Sequence, residues 1–127
     1  MQLLSAAAAA TLALLGALDG CRRAGSVERR VVIPGADAER GRVLAENYGC
    51  TACHIIPGVG GPGGTVGPPL VVWSRRVYIA GEAPNTPEYL IKWLENPQSI
   101  EPGTAMPMLG VSPRDARDMA AYLYTIE

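Results

Sequence analysis

The chain has 127 residues, room for one small domain, and a formal net charge of -1 at pH 7. It is 48% hydrophobic and 18% charged, an ordinary globular composition whose near-zero charge gives no basis for a nucleic-acid partner. Aromatics are few, five Tyr, two Trp and no Phe, and a domain this small has a thin core that often needs a staple such as a metal or cofactor.

Residues 3–18, LLSAAAAATLALLGAL, are apolar or small throughout. That falls short of the ~20 residues a membrane span needs and suits the apolar region of a secretory signal. Met1-Gln2 before it lacks the usual basic residue. LDGC, ending at Cys21, resembles the lipobox of bacterial lipoproteins, although Asp19 stands where a small or apolar residue is usual. The reading is a signal over residues 1–20 with Cys21 as the lipid-bearing first residue. Ordinary cleavage and an uncleaved anchor are the alternatives. Residues 1–20 carry a single charge, Asp19, so the chain without them has a formal net charge of 0. Residues 21–36 read as a polar tether. Its basic cluster, Arg22, Arg23, Arg29 and Arg30, reads as solvated linker ahead of contact with anionic lipid headgroups. Val31-Val32-Ile33 is stopped by Pro34-Gly35.

Residues 37–127 form the folded domain. Its first helix starts at Asp37, a capping residue, with Val43, Leu44 and Tyr48 on one side and Gly49 as its stop. Gly41 in its interior costs stability relative to Ala and suggests that something packs tightly there. Cys50-Thr51-Ala52-Cys53-His54 follows at once. Residues 57–69, PGVGGPGGTVGPP, hold six Gly and four Pro; they form a loop that needs an anchor. A second helix is capped by Thr86 with Pro87 at its first position. It carries the stripe Tyr89, Leu90, Trp93, Leu94 and ends before Pro97. After a Pro/Gly loop, EPGTAMPMLGV, the last helix opens with Ser112, Pro113 and Asp115 as a capping box and presents Ala116, Met119, Ala120 and Leu123. The pattern is all-α, with short helices, irregular loops and no convincing strand pair.

Three chemistries compete for the Cys pair. A zinc site needs four ligands, and adjacent Cys53 and His54 serve one tetrahedral ion poorly. A thioredoxin-like dithiol needs a βαβ context that is absent. C-x-x-C-H is the signature of c-type haem attachment: two thiols form thioethers to the porphyrin, and the next residue, His54, ligates the iron. His54 is the one histidine in the chain, so bis-His ligation within it is excluded. Of the remaining methionines, Met119 reads as core, while Met106 and Met108 lie in a loop able to reach over a ring. Spacing does not choose between these two.

Taken together, residues 37–125 resemble a class I c-type cytochrome of the compact bacterial kind: short helices and irregular loops wrapped around one covalently bound haem. The motifs that carry the resemblance run in the family's order. CTACH matches the attachment motif. GPPL matches the segment whose proline carbonyl accepts from the proximal imidazole, which implies that role for Pro68. Arg76 falls where the family often bonds a haem propionate, with Arg75 beside it. YLIKWLENP resembles the helix before the methionine loop, with Trp93 as an aromatic neighbour of the haem. PGTAMP resembles that loop and implies Met106 as distal ligand. DMAAYL resembles the last helix, where an aromatic, Tyr122 here, crosses Gly41. The loop after His54 carries extra glycines, and the stretch from Arg76 to Thr86 is short, which predicts an exposed propionate edge.

The resemblance implies a haem c electron carrier, not an enzyme. It would pass single electrons between membrane-associated respiratory complexes, with a terminal oxidase or a quinol-oxidising complex as partner. It would work on the periplasmic side of the bacterial inner membrane, held by the N-terminal lipid or anchor, as a monomer or as a subunit of a complex. With Lys92 as the one lysine, docking should depend little on ionic strength. The alternatives are a fixed haem c subunit of a larger oxidase or dehydrogenase, and a haem peroxidase or gas-binding protein. The last lacks a distal acid–base histidine.

Overall fold

A computed structural model of the chain describes residues 30–127. The predicted signal, Cys21 and residues 22–29 of the tether lie outside the described residues. Among the described residues three helices carry the fold: α1 (Ala38–Asn47), α2 (Pro87–Glu95) and α3 (Pro113–Leu123). Short 3-10 turns at Cys50–Ala52, Trp73–Arg75 and Pro97–Ser99 shape the segments between them.

Each helix begins where local chemistry dictates. Asp37 accepts from the Arg40 N–H at 3.0 Å, and Gly49, at φ 71°, turns the chain out of α1. Thr86 and Ser112 cap α2 and α3, each followed by a proline whose missing N–H costs nothing in the first turn. The stripe on α3 is buried as expected, and so are Leu90, Trp93 and Leu94 on α2. Two expectations fail at the edges of the stripes: Tyr89 is 40% exposed and Val43 is 41% exposed. On α1 the buried positions are Gly41 and Ala45, because α1 presses its backbone, not a branched side chain, against α3.

That close approach explains Gly41. A Cβ there would lie 1.9 Å from the Asp118 carbonyl oxygen and 2.8 Å from the Met119 nitrogen. The partner is therefore the backbone of α3, one turn before the expected Tyr122. The Tyr122 hydroxyl instead donates to the Pro57 carbonyl. Polar groups lock the same crossing. Arg40 pairs with both Asp115 and Asp118, the Tyr48 hydroxyl donates to Asp115 at 2.9 Å, and Asp118 accepts from the Asp37 N–H at 2.8 Å. Asp115 thus spends its carboxylate on α1, beyond the capping role read from sequence.

The network ties stability to pH. The Tyr48 and Ser112 hydroxyls, with Arg40, hold the Asp115 carboxyl below the usual carboxylate range. Burial pushes the Asp118 carboxyl up, but the Asp37 N–H and Arg40 outweigh it and the net displacement is downward. Both therefore contribute stability that is complete above about pH 4, the ordinary carboxylate value, and is lost as pH falls through their lowered folded values. The denaturant midpoint of the protein is expected to drop steeply below that pH. Asp118→Asn should flatten the drop, and an unchanged slope in that variant would remove the network as its cause.

Two segments depart from the sequence reading. The sequence places residues 31–36 in the tether, yet Ile33 is 6% exposed within the core and the Pro34 carbonyl accepts from Arg117 at 2.7 Å. Ile33 joins the core with Val31 partly buried against it, while Val32 stays exposed. A strand pair is also present: β1 (Tyr78–Ile79) runs antiparallel to β2 (Ala83–Pro84), with Tyr78 opposite Pro84 and Ile79 opposite Ala83. Two-residue strands carry no alternation to read; the pair exists because Ile79, 1% exposed, is drawn into the core and the chain reverses through Ala80 and Gly81 at positive φ.

Candidate cofactor site

The CTACH motif follows α1 directly. Gly49 ends the helix in a left-handed conformation, and the 3-10 turn Cys50–Ala52 begins with no intervening linker. The N–H groups of Cys53 and His54 both donate to the Cys50 carbonyl, at 3.2 and 3.0 Å. This winding brings Cys50, Cys53 and His54 to the wall of one cavity. Both thiols are free, and burial pushes the Cys50 thiol above its ordinary value. Among the described residues no three His, Cys, Asp or Glu side chains gather as a metal site of their own.

The glycine-rich loop finds its anchor on this motif. Gly64 N–H donates to the Thr51 carbonyl at 2.9 Å, Gly67 N–H to the Cys53 carbonyl at 2.8 Å, and Leu70 N–H to the Ile55 carbonyl at 2.8 Å. The buried Thr51 hydroxyl donates to the Gly60 carbonyl at 3.1 Å. Two of the glycines are required by proximity. A Cβ on Gly64 would sit 1.9 Å from the Ala52 carbonyl oxygen, and one on Gly67 would sit 2.2 Å from Cε1 of the His54 ring. The loop is a clasp, and it delivers Pro68 to the imidazole: His54 Nδ1 lies 2.7 Å from the Pro68 carbonyl. That carbonyl can only accept, so Nδ1 carries the proton and Nε2 keeps its lone pair for a metal.

The cavity measures about 490 Å³, within the range of small-molecule and cofactor sites. Every sequence-predicted site residue lines it: Cys50, Cys53, His54, Pro68, Arg76, Trp93 and Met106. Arg75 does not, nor does Met108, which is 62% exposed. Met119 lies in the core and also reaches the cavity wall. The hairpin residues Tyr78, Ile79 and Ala80 border the cavity as well, so the short stretch after Arg76 still covers part of that edge.

Sequence reasoning missed three further residues. Gln98 Nε2 donates to the Met106 carbonyl at 2.8 Å, and the Met106 N–H donates to Thr104 Oγ1 at 3.2 Å. Met106 is thus held at both its N–H and its carbonyl, while among the described residues no such pair grips Met108. Trp73 is 5% exposed, lines the cavity, and has a buried Nε1 with no acceptor among the described residues. Arg76 lies over its ring at 5.4 Å. The signal for Gln98 and Thr104 was their closeness to Met106 in sequence. Trp73, twenty residues on from Cys53, offered none beyond its size.

A family model described as Cytochrome c matches residues 38–127. The chain belongs to the cytochrome c family. Membership implies a covalently bound haem c, for which Cys50 and Cys53 are present, and a haem electron-transfer role. The cytochrome is also similar to cytochrome c oxidase subunit 2 of Alkalihalophilus pseudofirmus, with 35% identity over 91 residues. The match covers 71% of this chain and 26% of that relative, so the cytochrome spans about a quarter of the relative's length. The cavity of the cytochrome fits a haem on its own terms. Its walls are largely apolar, as a porphyrin face requires, and a methionine and a histidine, residues with soft thioether and imidazole donors, line the same space. The orphaned Trp73 N–H needs an acceptor such as a haem carboxylate oxygen, since an unpaired buried donor costs about 1–3 kcal/mol.

Proposed function

We propose that this cytochrome is a single-haem electron carrier, with haem attached through Cys50 and Cys53 and iron held by His54 and Met106. The observation that carries the reading is convergence: Cys50, Cys53, His54 and Met106 all line one apolar cavity. A haem there supplies one-electron chemistry at iron. The chain's own residues do the rest. The Pro68 carbonyl orients the His54 ring and fixes the tautomer that leaves Nε2 for iron. Gln98 and Thr104 fix the Met106 backbone, and a thioether ligand favours the ferrous state. Leu90, Trp93 and Leu94 exclude water from the site, which keeps reorganisation small.

The reading extends to single-electron passage between membrane-associated respiratory complexes, ending at a terminal oxidase, from the periplasmic side of the bacterial inner membrane with a lipid on Cys21 as anchor. The likeness to an oxidase subunit 2 supports an oxidase partner; the location and the lipid rest on the N-terminal sequence. The same likeness favours a second reading, a haem c domain fixed to an oxidase instead of a shuttle. Co-purification with an oxidase after detergent extraction separates the two.

The test of the primary reading is an optical spectrum, oxidised and reduced, of protein made in a host with haem-maturation machinery. Sharp reduced bands of c-type haem and the weak far-red band of a ferric sulfur bond are expected. A high-spin spectrum without the far-red band would mean an open iron and a ligand-binding role. Absence of haem would end the proposal.

A further inference from the structure

Trp73 and Arg76 stand on a turn that local sequence gives no reason to form. The residue before it, Val72, has φ 48° and ψ 38°, a left-handed conformation that a β-branched residue adopts only when its surroundings impose it. Those surroundings come from the far end of the chain. Ser74 N–H donates to the Ile126 carbonyl at 3.0 Å. Asn85 Nδ2 donates to the Trp73 carbonyl at 3.2 Å and to the Arg76 carbonyl at 3.0 Å, bracketing the turn. The Asn85 amide oxygen in turn accepts from the Tyr124 hydroxyl at 2.9 Å. Tyr124 is 3% exposed, and burial pushes its hydroxyl up to about 12, so it stays a neutral donor throughout the physiological range.

The turn presents two groups of one chemical kind. Trp73 brings a buried N–H without an acceptor among the described residues, and Arg76 brings a cation stacked on the same indole. Both line the cavity. Together they suit an anionic oxygen, and the anionic groups of a haem are its carboxylates. Resting on the haem reading above, we propose that Asn85 and Tyr124 are positioning residues that set the reduction potential by holding the Trp73–Arg76 turn against a haem carboxylate. The physical route is electrostatic. Carboxylate charge near the iron favours the ferric state. A donor and a cation held beside it offset that charge and favour the ferrous state. Neither Asn85 nor Tyr124 lines the cavity, so each acts through the turn.

The experiment is a potentiometric titration of the haem-loaded protein, followed optically, on Asn85→Ala, Tyr124→Phe and the double variant. Tyr122→Phe, whose hydroxyl serves Pro57 instead, is the control. At a fixed solution potential the ferrous-to-ferric ratio is expected to fall about threefold or more in each single variant. The double variant should fall no further than Asn85→Ala alone, because Tyr124 works through Asn85. The control should match the parent. Intact c-type bands with an unshifted ratio in Tyr124→Phe, which loses one oxygen atom, would overturn the relay and leave the haem reading standing. Additive shifts would overturn it too. A parent protein without c-type bands would instead defeat the haem reading itself. Should Asn85→Ala fail to fold, Tyr124→Phe decides.

Discussion

Met106→Ala is expected to erase the far-red band of the oxidised protein and to lower the reduction potential, whereas Met108→Ala should leave both unchanged. The two methionines are two residues apart in one loop, and the fold separates them. Met106 lines the cavity and is gripped through its N–H by Thr104 and through its carbonyl by Gln98. Met108 is 62% exposed. On the proposed His54–Met106 ligation, the substitution takes away a soft thioether donor that favours ferrous iron. The potential should fall by on the order of 0.1 V or more, inside the ≈ 0.8 V range that axial ligands command. Gln98→Ala should give a milder effect in the same direction, with the band weakened but present, because the ligand remains and only its backbone support is lost. Spectra and potentials of the three variants check this. Loss of the band in Met108→Ala would reverse the assignment.

Gly41→Ala is expected to damage the helix crossing severely with a single methyl group. The added Cβ would lie 1.9 Å from a backbone carbonyl of α3, so no rotamer change relieves it and the helices must part. Parting them disturbs the Arg40 pairs with Asp115 and Asp118 that span the same crossing. Overpacking of this kind costs roughly 3 kcal/mol or more, a large share of a total stability of about 5–15 kcal/mol. The melting temperature should drop by more than about 10 °C. Gly49→Ala is the comparison. Nothing lies within 4 Å of its added Cβ, and the cost is the left-handed conformation alone, about 1–2 kcal/mol. Thermal unfolding of the two variants ranks them, and equal losses would show that the helix crossing yields.

Much of the fold was legible because the sequence marks its own boundaries. Asp37, Thr86-Pro87 and Ser112-Pro113 announce three helix starts, and the caps form where they stand. The stripe on α3 is read from its period, since burial of one face leaves a repeat at helical spacing. Burial on α1 was misread at Val43 for the opposite reason. A helix that buries a glycine face shows no large apolar residue where it packs. The tether's end was misread because Ile33 gains its place from partners distant in sequence. At the site, the identity of the attachment motif was plain in five consecutive residues, and residues close to it in sequence were within reach of the resemblance.

By itself the sequence determined what depends on neighbours in the chain: an all-α pattern with capped helices, a C-x-x-C-H motif set on a turn after a glycine stop, and one histidine that ruled out a second imidazole. Tertiary structure decided what depends on groups brought together from afar. It put Met106 on the cavity wall and Met108 outside. It pressed Gly64 and Gly67 onto the motif, turned Gly41 against the backbone of α3, and left the Trp73 N–H buried and waiting for an acceptor. The physical reason is range. Caps and turns are satisfied within a few residues and leave a local signature. Close backbone approach and an unpaired buried donor exist only once the chain has closed around a shared core.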